Sequence, residues 1–173
     1  MSTVTWVADP AHSTLQFRVK HFMISNVRGQ FRTFSLQVHS PTADSFAQAA
    51  VQLEVEVASL FNGVEARDNH LRSADFFDVA HYPLLTFSAP ALQAVSAEAY
   101  EVTGQLTIKD TTRPMRCTIF SSNASGNSSN TSVSICTCTK TTYSYISGES
   151  VYFDFHDHRR LHQSLNYQSP ARQ

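Results

Sequence analysis

The sequence has no long hydrophobic run and no excess of either charge. Its 173 residues carry a net charge of −1, and acidic and basic side chains are interspersed along the chain. Because nucleic-acid binding depends on concentrated positive charge that neutralises phosphates, we expect no nucleic-acid partner. No apolar stretch approaches the roughly 18 residues that a membrane-spanning helix needs. The sequence therefore predicts no membrane span.

Cysteines are also scarce, and the N-terminus lacks a recognisable export signal. The three cysteines, all late in the chain, are too few and odd in number for a disulfide framework. Residues 1–6 have neither the basic nor the hydrophobic region of a signal peptide. These features predict a cytoplasmic protein of a reducing compartment. The apolar fraction of 42% is enough for the core of one domain.

Apolar and polar residues alternate through most of the first 120 positions, with the period of two expected for half-buried strands. Within the strand predicted over residues 27–40, the apolar parity changes near Arg32 and Thr33, which predicts a β-bulge there. Strands of about ten residues with outward-facing charge, interrupted by one helical stretch, predict an all-β antiparallel barrel or sandwich. The predicted strands cover residues 4–9, 12–21, 27–40, 50–60, 84–88, 91–95, 100–109 and 115–120.

The apolar residues that share the inward faces of these strands are the main candidate site. They would line one interior, which can be a dry packed core or a chamber for one slim ligand, because an eight-stranded barrel suits either. Periodicity alone does not distinguish these two interpretations. The residues are Leu15, Phe17, Val19, Phe31, Phe34, Leu36, Leu53, Val55, Phe87, Val102, Leu106 and Ile108.

The stretch over residues 64–83 breaks the alternation and concentrates charged, histidine and aromatic side chains. A short helix over 64–72 would place Asp68 and Arg72 one turn apart, where they can form an ion pair. No nucleophile or matched base accompanies the acids of this stretch, so we expect no enzymatic activity. The histidine spacing does not supply three converging ligands, so we expect no metal and no cofactor.

The polar side chains near this stretch allow two interpretations. They can contact a ligand headgroup, since an arginine fork suits an anion such as pyrophosphate. They can also form a network that holds the helix across one end of the strands, as a lid. The nearly even mixture of charge signs favours the second interpretation. The residues are His21, Arg67, Asp68, His70 and Arg72.

Short motifs in the first two thirds of the chain follow the order and spacing of a known family. They are DPAHS at 9–13, FRVKH at 17–21, VRGQF at 27–31, VEVAS at 55–59, RDNHLRSADFFD at 67–78, YP at 82–83, TF at 86–87 and TGQLTI at 103–108. Over about residues 4–116 the chain resembles the YceI family of lipid- and polyisoprenoid-binding proteins. The resemblance implies a lipocalin-like antiparallel β-barrel with one short helix, whose interior holds a lipid or isoprenoid tail. It implies no enzyme, and many relatives are exported to the periplasm.

The C-terminal third departs from this pattern. We divide the chain into a YceI-like part over residues 1–120, a low-complexity segment over 121–149 that matches no family, and a segment over 150–173. The last segment resembles the C-terminal tail of integrase-type transposases of insertion elements. The residues that carry this second resemblance are Tyr152, Phe153, Asp154, Phe155, the run RRLHQSL at 159–165, Tyr167 and Pro170.

The second resemblance implies an alternative function, a truncated or frameshifted YceI-like product with impaired or no ligand binding. An incomplete barrel would expose unpaired strand edges, which would allow a homodimer. Residues 132–142 and 150–155 are rich enough in Val, Thr and Tyr to form substitute strands. Whether the barrel closes is left open by the sequence.

Overall fold

The computed structural model describes residues 4–8, 13–21, 25–42, 45–96, 99–123, 131–138, 150–157 and 161–163, with side chains at 4–8, 13–17, 28–42, 45–96 and 99–118. As predicted, strands dominate and one short helix interrupts them. The strands are β1 Val4–Ala8, β2 Ser13–His21, β3 Ser25–Phe31, β4 Phe34–Ser40, β5 Ala50–Glu56, β6 Leu60–Phe61, β7 Leu84–Ala89, β8 Leu92–Ala94, β9 Ala99–Ile108, β10 Thr111–Asn123, β11 Thr131–Cys138, β12 Ser150–Asp157 and β13 Leu161–Gln163, and the helix α1 is Glu65–Arg72.

The strands form two antiparallel sheets. The larger sheet has the order β11-β10-β9-β7-β5-β4-β1-β13, with β8 also paired to β9, and the smaller sheet has the order β12-β2-β3-β6. Within the described residues, no hydrogen-bonded pair of strands joins one sheet to the other. In this part of the chain, the barrel that the family resemblance implies is therefore not closed by strand pairing, because β11 and β12 lie close together but end separate sheets.

Two chain segments pass from one sheet to the other at a common corner. The strand predicted over 27–40 is two strands, since β3 belongs to the smaller sheet and β4 to the larger one. The predicted bulge is wrong, because the apolar parity changes where Arg32 and Thr33 carry the chain between sheets. The strand predicted over 50–60 likewise ends at Glu56, and a 3-10 turn at Val57–Ser59 leads into β6 of the smaller sheet.

The hydroxyl group of Ser59 holds these two crossing segments together. Its oxygen accepts hydrogen bonds from the backbone N–H groups of Arg32, at 3.1 Å, and Thr33, at 3.0 Å. The same hydroxyl donates to the carbonyl oxygen of Glu56 at 2.6 Å. Ser59 thereby satisfies backbone groups that leave their ladders where both strands bend.

Beyond residue 123 the described backbone contains further strands. Strands β11 and β12 occupy most of the two stretches for which the sequence predicts substitute strands. β11 pairs with β10 and places Cys138 opposite Cys117, while β12 pairs with β2. Cys117 is disulfide-bonded. Three cysteines do not form a disulfide framework, but one of them takes part in a single bond that the sequence did not predict.

The apolar side chains of both sheets meet in one buried cluster. Leu15 and Phe31 enter it from the smaller sheet, and Leu53, Val55 and Leu106 enter it from the larger sheet. The inward residues follow the period of two, because alternate side chains of a strand point to opposite faces. The single described helix is too short to cross a membrane.

Candidate functional site

The structure buries most of the predicted interior residues in this shared cluster. Of the twelve, ten are buried, and Phe34 is half-buried and packs against the cluster. Val19 lies on β2, but its side chain falls outside the described side chains. The buried residues are Leu15, Phe17, Phe31, Leu36, Leu53, Val55, Phe87, Val102, Leu106 and Ile108.

Two phenylalanine rings of the cluster lie directly over glycines of neighbouring strands. Phe17 pairs with Gly29 across β2 and β3, and a Cβ atom added to Gly29 would lie 2.4 Å from the ring. A Cβ atom at Gly104 would lie 2.4 Å from the Phe87 ring and 2.6 Å from the carbonyl oxygen of Ser88. The absence of a side chain at these glycines therefore gives both rings their positions along the sheet surface.

A first aromatic group forms where the segment after α1 returns to the interior. Phe77 is buried and lies edge-on to Phe17 and Phe31, with ring centroids 6.4 Å and 6.2 Å away. The rings of Phe17 and Phe31 are 5.0 Å apart. The sequence indicates that Phe76 and Phe77 must be buried, and the structure separates them, because Phe76 is only half-buried and packs 4.9 Å from the ring of His70.

A second aromatic group contains Trp6, Phe46 and Tyr100. The ring of Phe46 lies 5.4 Å from Trp6 and 6.0 Å from Tyr100, edge-on to each of them. All three side chains are buried. Sequence reasoning does not find Trp6 or Phe46 as site residues. Phe46 belongs to no strand and follows no periodic pattern, while the position of Trp6 in a predicted strand gave the one available signal.

The four predicted headgroup or lid residues on α1 divide into two that face the protein and two that face solvent. Asp68 is 4% exposed, and its carboxylate accepts a hydrogen bond from the backbone N–H of Asn62 at 2.9 Å. Arg67 and His70 are exposed. His70 lies 3.9 Å from the carboxylate of Asp75. The predicted headgroup residue His21 has no described side chain.

Arg72 attaches the end of α1 to the sheet corner. Its Nε atom donates to the carbonyl oxygen of Ala58 at 3.0 Å, and its Nη2 atom donates to the carbonyl oxygen of Leu60. Its Nη1 atom donates to the side-chain oxygen of Asn69 at 3.3 Å. Asp68 and Arg72 thus bind backbone groups instead of pairing with each other. This arrangement matches the lid interpretation, in which the network pins the helix to the strands.

The described side chains offer an apolar interior with few polar groups. The only buried polar or charged residues among them are Ser40 and Asp68. In the same part of the chain, no group of three His, Cys, Asp or Glu side chains is placed to hold a metal ion. Burial of apolar ligand surface is the interaction that such an interior can supply.

A family model described as a YceI-like domain matches residues 6–146 of this chain. The chain belongs to the YceI family. The matched region extends beyond residue 116, where the motif resemblance found in the sequence ends, and includes β11. The transposase-like resemblance of residues 150–173 has no support in these comparisons.

Individual relatives agree with the family assignment. A UPF0312 protein of Staphylococcus aureus (strain N315) is 38% identical over 104 residues, which cover 60% of this chain and 57% of that protein. The matched region of this chain therefore spans just over half the length of this curated relative. The crystal structure of Burkholderia cenocepacia BcnA is similar with a TM-score of 0.70 and 26% identity, covering 86% of this chain and 96% of that one.

A more distant solved structure shares the fold. It is a polyisoprenoid-binding domain from Saccharophagus degradans, implicated in plant cell wall breakdown. The TM-score is 0.62 at 16% sequence identity, and the match covers 87% of this chain and 94% of that domain. The two solved structures thus each match about 86–87% of this chain.

Proposed function

We propose that the protein binds a lipid or polyisoprenoid tail in its apolar interior and catalyses no reaction on it. The observation that carries this proposal is the single apolar cluster to which both sheets contribute. A tail placed among these side chains would gain about 25 cal/mol for each Å² of apolar surface removed from water. A few polar contacts are enough to orient such a ligand.

The family and its structural neighbours support the proposal. The domain from Saccharophagus degradans, whose fold this chain shares, is named for polyisoprenoid binding. The network around Arg72 and Asp68 supports a lid function for α1, because both side chains are committed to backbone partners. Of the residues predicted to contact a headgroup, Arg67 and His70 lie on α1 and are exposed. They are our candidates for contact with a headgroup.

One observation favours the alternative that binding is impaired. The two sheets are not joined by strand pairing within the described residues, so the interior is not enclosed by one continuous ladder. Free strand edges promote association and aggregation. A product of this kind would be poorly packed and would hold a lipid weakly or not at all.

The first experiment separates these two functions. The purified full chain is extracted with organic solvent, and the extract is analysed by mass spectrometry for a co-purified lipid. The protein is then titrated with dansylated farnesol while dansyl fluorescence is recorded. Saturable binding by folded monomer or dimer supports the proposal, whereas a folded protein that carries no lipid and binds no probe contradicts it.

A matched pair of substitutions locates the site. Val55 is fully buried in the cluster, and Val95 is 67% exposed. We expect Val55→Phe to fill interior volume and weaken probe binding, at a stability cost of about 1–3 kcal/mol from overpacking. Val95→Phe should leave both binding and stability unchanged. Equal probe affinity for the two folded variants, checked by circular dichroism, would show that the probe binds outside this interior.

A further inference from the structure

The indole nitrogen of Trp6 is buried without a hydrogen-bond partner. The side chain is 1% exposed, and its Nε1 atom has less than 1 Å² of accessible surface and no acceptor among the described side chains and backbone groups. The indole N–H can only donate a hydrogen bond, and unlike a hydroxyl group it cannot rotate to find an acceptor. Buried donors are nearly always paired, and an exception calls for a physical explanation.

The described side chains in contact with Trp6 are apolar and aromatic, and Gln163 is its partner on β13. Phe46 packs edge-on against Trp6, Phe46 in turn contacts Tyr100, and Val38 is the partner of Trp6 on β4. Trp6 and Tyr100 lie on strands, whereas Phe46 lies in a segment outside the described strands. Of the three rings, Phe46 can therefore move with the least change to a sheet. Displacement of this ring would give a ligand access to the indole N–H.

The charges nearby restrict the chemistry of such a ligand. Among described side chains the only buried polar or charged residues are Ser40 and Asp68, so no buried cation is available to balance an anion. Ser40 already donates to the carbonyl oxygen of Ser45 at 2.6 Å, and Asp68 already accepts from Asn62. Burial of an unpaired charge is far more costly than burial of a neutral polar group. Among the described side chains, therefore, only an uncharged acceptor suits a position beside Trp6.

We propose that the N–H group of Trp6 donates a hydrogen bond to an uncharged oxygen of the bound lipid. A carbonyl, ether or hydroxyl oxygen has the required chemistry, whereas a phosphate or carboxylate does not. This inference rests on the proposed lipid-binding function and adds a polar anchor to it. The oxygen would lie within the second aromatic group and the apolar tail along the shared cluster.

The chain contains a single tryptophan, so one indole N–H resonance reports on this site without assignment by mutation. The protein is labelled with ¹⁵N and titrated with two probes of equal length. One is farnesylacetone, an isoprenoid ketone, and the other is the hydrocarbon in which a methylene replaces its carbonyl group. We expect the ketone to move the indole proton downfield and to bind about tenfold more tightly, which corresponds to about 1.4 kcal/mol.

The substitution Trp6→Phe removes the donor and keeps an aromatic ring. We expect it to abolish the preference for the ketone and to leave hydrocarbon affinity within about threefold of the parent protein. If this variant does not fold, the shift of the indole proton and the affinity ratio in the parent protein decide the matter.

Two negative outcomes are distinguishable. If both probes bind with equal affinity and the indole proton does not respond to the ketone, the anchor is overturned and the lipid-binding proposal stands. A buried water that already accepts from Trp6 would produce this result. If neither probe binds the folded protein, the anchor and the proposed function are overturned together.

Discussion

Gly104 and Gly29 show how the absence of a single methyl group sets the geometry of the interior. Both lie under phenylalanine rings, but at Gly104 the three nearest atoms to an added Cβ include a rigid backbone atom, the carbonyl oxygen of Ser88 at 2.6 Å. A ring can shift within the cluster, whereas a carbonyl oxygen in a strand moves only with its sheet. The two glycines therefore differ in how well they would tolerate alanine.

We predict that Gly104→Ala destabilises the protein by about 1–3 kcal/mol, the usual cost of forcing extra volume into a packed region. Gly29→Ala should cost less, because the three atoms nearest to its added Cβ all belong to the ring of Phe17. The measurement is the free energy of unfolding in urea. Adding Phe17→Leu to Gly29→Ala should recover more of the lost stability than adding Phe87→Leu to Gly104→Ala. Equal recovery in the two double variants would contradict a role for the Ser88 carbonyl oxygen.

Ser59 is a second case in which one small side chain supports a larger feature. We predict that Ser59→Ala lowers the free energy of unfolding by about 0.5–1.5 kcal/mol, because the N–H of Thr33 loses its acceptor and the N–H of Arg32 keeps only its bond to the backbone carbonyl oxygen of residue 59, at 3.3 Å. Amide exchange at Arg32 and Thr33 should accelerate. Ser88→Ala, at an exposed position, is the control and should change neither quantity.

At the residue scale, alternation of apolar and polar residues predicts which strand residues point into the interior. Leu53 and Val55 were identified because alternate residues of a strand share a face. The contributions of Ser59, Phe46 and the Trp6 donor were not predictable, because each depends on a partner that is distant in sequence or lies outside any periodic segment. Such partners are fixed only when the chain folds.

At the scale of elements, α1 is a helix whose position depends on one arginine. Its predicted limits agree with the structure to within one residue, yet the predicted ion pair between Asp68 and Arg72 does not form. The carbonyl groups of Ala58 and Leu60 attract the guanidinium group instead, because the corner leaves both of them accessible. Tertiary contacts thus replaced a local pairing that the sequence suggested.

We predict that Arg72→Lys lowers the free energy of unfolding by about 1–2 kcal/mol, since an ammonium group cannot reproduce the planar fork that reaches two carbonyl oxygens. Arg67→Lys, on an exposed face of the same helix, is the control for stability and should leave the free energy of unfolding unchanged. The measurement is urea denaturation together with probe binding. Loss of lipid affinity without loss of stability in Arg72→Lys would favour the headgroup interpretation over the lid.

The disulfide of Cys117 links two other elements. The remaining two cysteines, Cys136 and Cys138, both belong to β11, so the bond joins β10 to β11. We predict that a dithiol reductant lowers the free energy of unfolding by about 3 kcal/mol, as the cross-link no longer restrains the unfolded chain. Cys117→Ser should have this lower stability already and should not respond to the reductant. An equal response from both proteins would show that the effect is not due to this bond.

At the scale of the whole molecule, the class of fold was predictable and the closure of the sheets was not. Alternation and turn residues indicate antiparallel strands with one helix, and these agree with the structure. Closure depends on whether β11 and β12 pair, which neither strand encodes locally. The corner at Arg32 and Thr33 was not predictable for the same reason. A strand that changes sheet and a strand with a β-bulge show the same shift in apolar parity.

The free edge of the smaller sheet leads to a prediction about assembly. Phe61 is 37% exposed on β6, whose one partner among the described strands is β3. We predict that the protein forms a homodimer, detected by light scattering after size exclusion, and that Phe61→Lys shifts it toward monomer, since lysine on an edge strand opposes pairing. Val95→Lys is the control, and a parent protein that stays monomeric at all concentrations would contradict the prediction.

The pairing of the first strands with the last ones has a consequence for biosynthesis. Phe17 of β2 lies opposite Phe153 of β12, and Val7 of β1 lies opposite His162 of β13. A ribosome adds about 5–20 residues per second, so β2 waits on the order of ten seconds for its second neighbour. During that interval β3 covers one edge of β2, and the edge that later pairs with β12 stays open. The N-terminal strands are made first, but their sheets are completed last.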